Sequence, residues 1–106
     1  MNGKTYVVTL LEEPNMGNPE VTLHGAYADE KTAIKAMAEW IVERANRDDY
    51  FKESLMSDQN HEDFPKEWDD EKIVEFIVGD YGGAYYVFDD SSNIYNFDVV
   101  ETEVFA

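Results

Sequence analysis

The chain has no cysteine among its 106 residues. That excludes a disulfide framework, a thiolate metal site and a thiol nucleophile. Basic residues are scarce: Lys and Arg total 8 against 24 Asp and Glu, a formal net charge of −16. From Ile73 to the end there is no base at all. Such a surface repels nucleic acid and anionic membrane, and it attracts basic partners. No apolar run approaches the roughly 20 residues of a membrane span. The opening Met1-Asn-Gly-Lys-Thr-Tyr6 has no signal-peptide core. The expectation is a cytoplasmic protein, complete as it stands.

What is present suits one domain. The chain is 43% hydrophobic and 14% aromatic. At this length folding buries roughly 60–70% of the unfolded chain's surface. High net charge is a mark of disordered chains, but here the apolar residues are periodic. The clearest stretch is Asp29 to Asn46, where Ile34, Met37, Ala38, Ile41 and Ala45 form one stripe of an α-helix. Asp29 caps it, Glu30 sits at the positive end of its dipole, and Arg44 and Arg47 lie at the negative end.

Before this helix, Thr5–Leu11 and Val21–Tyr27 are rich in β-branched and aromatic residues and predict two strands. Pro14, Gly17 and Pro19 mark a longish hairpin loop between them. After it, Tyr50, Phe51, Leu55 and Met56 offer one face of a short helix, and Asp58 to Pro65 has loop character. Asp69-Asp-Glu71 then starts a segment carrying Ile73, Val74, Phe76 and Ile77, with Gly79 as a stop. Helix spacing and β-branched content compete there, and a strand stays open beside the helix. Ala84–Phe88 and Ile94–Phe105 predict strands joined by a turn at Asp89–Asn93. In the last strand Tyr95, Phe97 and Val99 share one parity while Val100 and Val104 take the other, which predicts a β-bulge near Val99–Val100. The expected fold is α+β: a four-stranded antiparallel sheet in the order ββα(α)αββ, with its helices on one face.

Signatures of chemistry fail one by one. His61-Glu-Asp-Phe-Pro65 lacks the second histidine of a zinc helix, and His24 stands alone in a strand. Asp89, Ser91 and Asn93 alternate as in a calcium loop, but Ile94 occupies the glycine position and Val100 the glutamate position. A β-turn explains them better, leaving only weak, nonspecific divalent-ion binding by the many carboxylates. Gly79-Asp-Tyr-Gly-Gly83 lacks the spacing and the lysine of a phosphate loop, and Asp80 repels phosphate. No serine has a histidine and an acid at a recognisable spacing. The expectation is a protein without catalysis, metal or cofactor. Lys31, Lys35, Arg44 and Arg47 share a helix with Glu30, Glu39 and Glu43, so they are expected to pair within it rather than to bind nucleic acid.

The charge is unevenly placed. Residues 1–47 carry a net −2, and residues 48–106 carry −14. An acidic belt runs through Asp48, Asp49, Glu53, Asp58, Glu62, Asp63, Glu67, Asp69, Asp70, Glu71 and Glu75, interleaved with Tyr50, Phe51, Phe64 and Trp68. Glu101 and Glu103 add a pair on the last strand. Acids one helical turn apart, or at i and i+2 on a strand, are spaced by roughly 5–7 Å. That is the order of the charge spacing of a nucleic-acid backbone, about 3.4 Å of rise per phosphate on each strand. A firm surface with this pattern suits a groove built for DNA or RNA, with aromatic side chains such as Trp68 as anchors. Acids that serve only solubility need no such sorting.

In size, charge, aromatic content and absence of cysteine the chain resembles the small acidic phage-borne inhibitors, the nucleic-acid mimics of anti-restriction and anti-CRISPR type. The likeness is one of general properties over the whole chain and carries over no functional residue. It implies a non-catalytic protein of the host cytoplasm that binds a basic nucleic-acid-binding surface of a host complex and inhibits it. A second expectation, from another class, is a regulatory or structural module that packs on a cognate protein through an apolar sheet or helix face.

Overall fold

Asp29 opens the central helix as its side chain accepts from the Thr32 N–H at 2.8 Å and from the Thr32 hydroxyl. Thirteen residues later, Val42 is still buried, and the helix runs from Glu30 to Arg47. In this computed structural model, which describes residues 2–57, 63–89 and 92–105, the elements follow in the order β1 (Asn2–Glu13), β2 (Glu20–Tyr27), α1 (Glu30–Arg47), α2 (Asp49–Met56), α3 (Asp70–Asp80), β3 (Ala84–Phe88) and β4 (Ile94–Phe105).

The strands form one antiparallel sheet in the order β2-β1-β4-β3, and the expected α+β architecture holds. β1 pairs with β2 across the predicted hairpin and with β4 along its whole length, from Asn2↔Phe105 to Glu13↔Ile94. The β1–β4 register is unbroken, so the bulge expected near Val99–Val100 is absent. The register shift lies instead between β1 and β2: Val8 faces Gly25 and Thr9 faces Leu23, which leaves His24 as the extra residue. The change of parity in β4 has another cause. Val99 points at the helices, while Val100, paired with Val7, points to the opposite face and is exposed.

The core fills the space between one sheet face and the helices. Val8 and Leu10 of β1, Tyr85 and Val87 of β3, and Phe97 of β4 meet Met37, Ala38, Ile41 and Ala45 of α1, Phe51 and Leu55 of α2, and Ile73 and Ile77 of α3. Phe97 is fully buried between two aromatic neighbours, edge-on to Trp40 at 5.5 Å and to Phe51 at 6.1 Å. The buried arc of α1 is wider than a single stripe. Ala33 and Val42 are buried, while Ile34 keeps some exposure, because α2 and α3 flank the helix as the sheet underlies it.

Residues 73–78 are helical, and Gly79 does not stop that helix. It continues to Asp80 and breaks at Tyr81, whose backbone is extended. Gly83, at φ +114°, then supplies the left-handed turn into β3.

Candidate protein-binding surfaces

The acidic belt is the first candidate, and the fold gathers only part of it. α1 ends where α2 and α3 begin. Asn46 Nδ2 donates to both carboxylate oxygens of Asp70 at 3.2 Å, which ties the end of α1 to the start of α3. Asp48 caps α2, accepting from the Tyr50 and Phe51 N–H groups. Asp69 caps α3, accepting from the Lys72 N–H at 3.1 Å. Asp48, Asp49, Asp69, Asp70 and Glu71 therefore converge on one junction of three helix ends, where two positive dipole ends face them. Four of the five are exposed, and Asp48 is half-buried.

The remaining acids spread outward. Glu53 is exposed on α2, and Asp63 and Glu67 are exposed on the segment before α3. Glu75 lies with Glu71 and Asp70 along an open groove of about 670 Å³ between α1 and α3. Glu39 and Glu43 line its other wall, but so do Lys35 and Arg47, and Val42 and Val74 contribute apolar atoms. Glu101 and Glu103 stand apart, on the end of β4 that pairs with Gly3 to Tyr6, and Glu101 is bridged to Lys4 at 2.8 Å. Asp58 and Glu62 lie outside the described residues. Trp68 is a half-buried strut: its indole N–H donates to Asp70 at 2.7 Å and the Lys52 ammonium sits 4.4 Å from its ring.

The bases behave partly as expected. Arg47 pairs with Glu43 one turn back at 3.7 Å. Arg44 instead leaves its helix and pairs with Glu12 of β1 at 2.9 Å. Its guanidinium lies over Phe51 and Tyr95 at 5.7 and 5.5 Å. The apolar bed and the short bond make this half-buried pair a link between helix layer and sheet.

The second candidate is the sheet face that the helices leave open. Side chains alternate across a strand, so the residues paired opposite Val7, Leu11 and Val100 define this face. Its exposed large apolar members are Val21 (66%) and Leu23 (68%) on β2, Tyr86 (49%) and Phe88 (56%) on β3, and Val100 (44%) on β4. Val7, Leu11 and Ile94 lie on it half-buried, as do the polar Thr5, Thr9 and Asn96, and Thr102 is exposed there. Tyr86 and Phe88 stack at 6.3 Å. Only Glu13 and Asp98 bring charge to it among the described strand residues, and Asp98 is turned toward the Tyr81 hydroxyl at 3.0 Å. An antiparallel sheet with one solvated face ordinarily alternates apolar-in with polar-out. The open face here is mainly apolar on a molecule of net charge −16.

Other singled-out residues have structural partners. His24 stacks on Trp40 at 4.5 Å. Asp89 accepts from the Asn93 backbone N–H and from Asn93 Nδ2, closing the β3–β4 turn as expected. His61, Asp90 and Ser91 lie outside the described residues. Among the described residues no three His, Asp or Glu side chains are placed to hold a metal ion, and no helix is long and apolar enough to cross a membrane. Comparison with family models, with curated proteins and with solved structures returned no match.

Proposed function

We propose that this chain is a non-catalytic binding protein whose acidic helix junction engages a basic, nucleic-acid-binding surface of another protein and so competes with DNA or RNA for it. One observation carries the reading: Asp48, Asp49, Asp69, Asp70 and Glu71 lie where α1 runs directly into α2 and the Asn46–Asp70 contact ties the end of α1 to the start of α3. Carboxylates held on helix caps are pre-positioned, so little ordering entropy is lost on binding. Opposite charge speeds encounter, and salt weakens it. Glu101 and Glu103, on the far end of β4, do not belong to this surface.

The test is competition. Immobilised protein should retain nucleic-acid-binding proteins that duplex DNA displaces and that moderate salt releases. Reversal of three acids that cap no helix, Asp49→Lys, Glu71→Lys and Glu75→Lys, should weaken retention at least about tenfold, roughly 1.4 kcal/mol or more. Retention indifferent to DNA and to these reversals would refute it. The open apolar face favours a second reading: a module that packs on a protein through its sheet. Such an interface persists in salt.

A further inference from the structure

We infer that the open sheet face is covered by a second copy of this chain, giving a two-fold dimer of stacked sheets with the helices outermost. The inference rests on the sheet-face reading above and names its occupant. Area is the first argument. Four strands at about 4.8 Å spacing and about eight residues of length give roughly 500 Å² of face per copy. A two-fold pair then covers about 1,000 Å² before side-chain relief is counted, at the threshold of a specific interface. The exposed side chains there are of the kind that fill the core of such an interface: Leu23, Tyr86, Phe88 and Val100.

Charge placement is the second argument. Each copy carries −16, so most ways of pairing two copies are opposed by repulsion. Stacking through the open face is the arrangement that sets the acidic helical layers farthest apart, with two sheets about 10 Å apart between them. The contact itself brings few charges together, since Glu13 lies at one end of β1 and Asp98 is held by Tyr81. A two-fold axis along the strands also crosses the edges. The β2 edge, whose one charged residue is Glu20, then faces the β3 edge, whose residues Ala84–Phe88 carry no charge. Aliphatic Val21 and Leu23 of one copy meet the Tyr86–Phe88 stack of the other.

The experiment is sedimentation equilibrium of the full chain, up to about 200 μM, at low salt and at about 300 mM salt, where screening is strong. The expected result is a mass twice 12.2 kDa at the upper concentrations, with association tightened by salt. Leu23→Glu with Phe88→Glu should weaken association at least about tenfold while the circular dichroism spectrum is kept, since both side chains are exposed in the single chain. Glu39→Lys, on the outer helical face, should leave the dimer intact or tighten it. A monomer at every concentration overturns the inference, and so does a dimer indifferent to the two face substitutions. The sign of the salt effect keeps this separate from the acidic-junction reading, whose complex is loosened by salt.

Discussion

Removing one oxygen, by Tyr81→Phe, tests how β4 is held where β3 gives out. β3 pairs with β4 only as far as Ala84↔Asp98. Just beyond, the Val99 N–H donates to the Tyr81 hydroxyl at 3.1 Å. That hydroxyl has one proton to give, and it has two acceptors in reach, the Gly83 carbonyl at 2.8 Å and Asp98 Oδ1 at 3.0 Å. In the phenylalanine variant the Val99 N–H keeps Asp98 Oδ1 at 2.8 Å, and water reaches the exposed Gly83. No group is stranded, so the cost is that of one or two net hydrogen bonds, about 1–2 kcal/mol, rather than the larger penalty of a buried orphan. At this chain length that lowers Tm by about 4–10 °C. The alkaline limb carries a second signature. Burial pushes the Tyr81 hydroxyl from 10.0 up to about 12, with Asp98 adding to the rise and the Val99 N–H opposing it. A pKa raised on folding means that the folded state holds the proton more tightly. Its contribution is complete below pH 10 and is lost as pH climbs toward 12. Tyr95, also raised chiefly by burial, adds a decline of the same sign. Thermal melts followed by circular dichroism across the alkaline range should therefore show a shallower loss in the variant. A variant that melts with the wild type at neutral pH, and falls as steeply in alkali, would refute this account of Tyr81.

Two further outcomes follow from the charge and the caps. Raising salt from about 10 to about 300 mM shortens the screening length from about 30 Å to under 10 Å, so repulsion on a −16 domain weakens and Tm should rise; a flat response would mean that the carboxylates lie too far apart to matter. Asp48→Ala and Asp69→Ala each remove a helix cap and should cost about 0.5–2 kcal/mol in urea unfolding, whereas Asp49→Ala, which caps nothing and gives up only its place at the positive end of the α2 dipole, should cost less than either; equal midpoints for all three would show that the caps contribute nothing.

Local signals were legible where the chain states them locally. The Asp29 cap, the acid-to-base gradient along α1 and the apolar spacing from Met37 to Ala45 depend on neighbours within a turn or two, and the structure places them as the pattern predicts. The same holds for Ala84–Phe88 and Ile94–Phe105, bounded by turn residues. Gly79 misleads as a stop because a glycine stop works through the left-handed conformation, which Gly79 does not take; the helix ends at Tyr81 in an extended conformation, and Gly83 takes the positive φ only at the turn into β3. Which acids meet was not legible. The junction depends on Asn46 reaching Asp70, 24 residues away, and on Arg44 leaving its own helix for Glu12. Contacts of that range are set by packing, not by spacing.

The open face was written in the sequence but in a form that invites another reading. Val7-Val8, Leu10-Leu11 and Val99-Val100 each place apolar groups on both sides of a strand. One explanation of such doubling is a bulge that returns the second residue to the core. The unbroken pairing from Asn2↔Phe105 to Glu13↔Ile94 removes that explanation, so one residue of each pair (Val7, Leu11 and Val100) faces outward while Val8, Leu10 and Val99 face the helices. A strand apolar on both sides is the pattern of a sheet covered on both faces. The helices of this chain supply one cover. On the physics of burial, the doubled apolar positions in the two central strands β1 and β4 are what favours the proposed second cover from outside the chain.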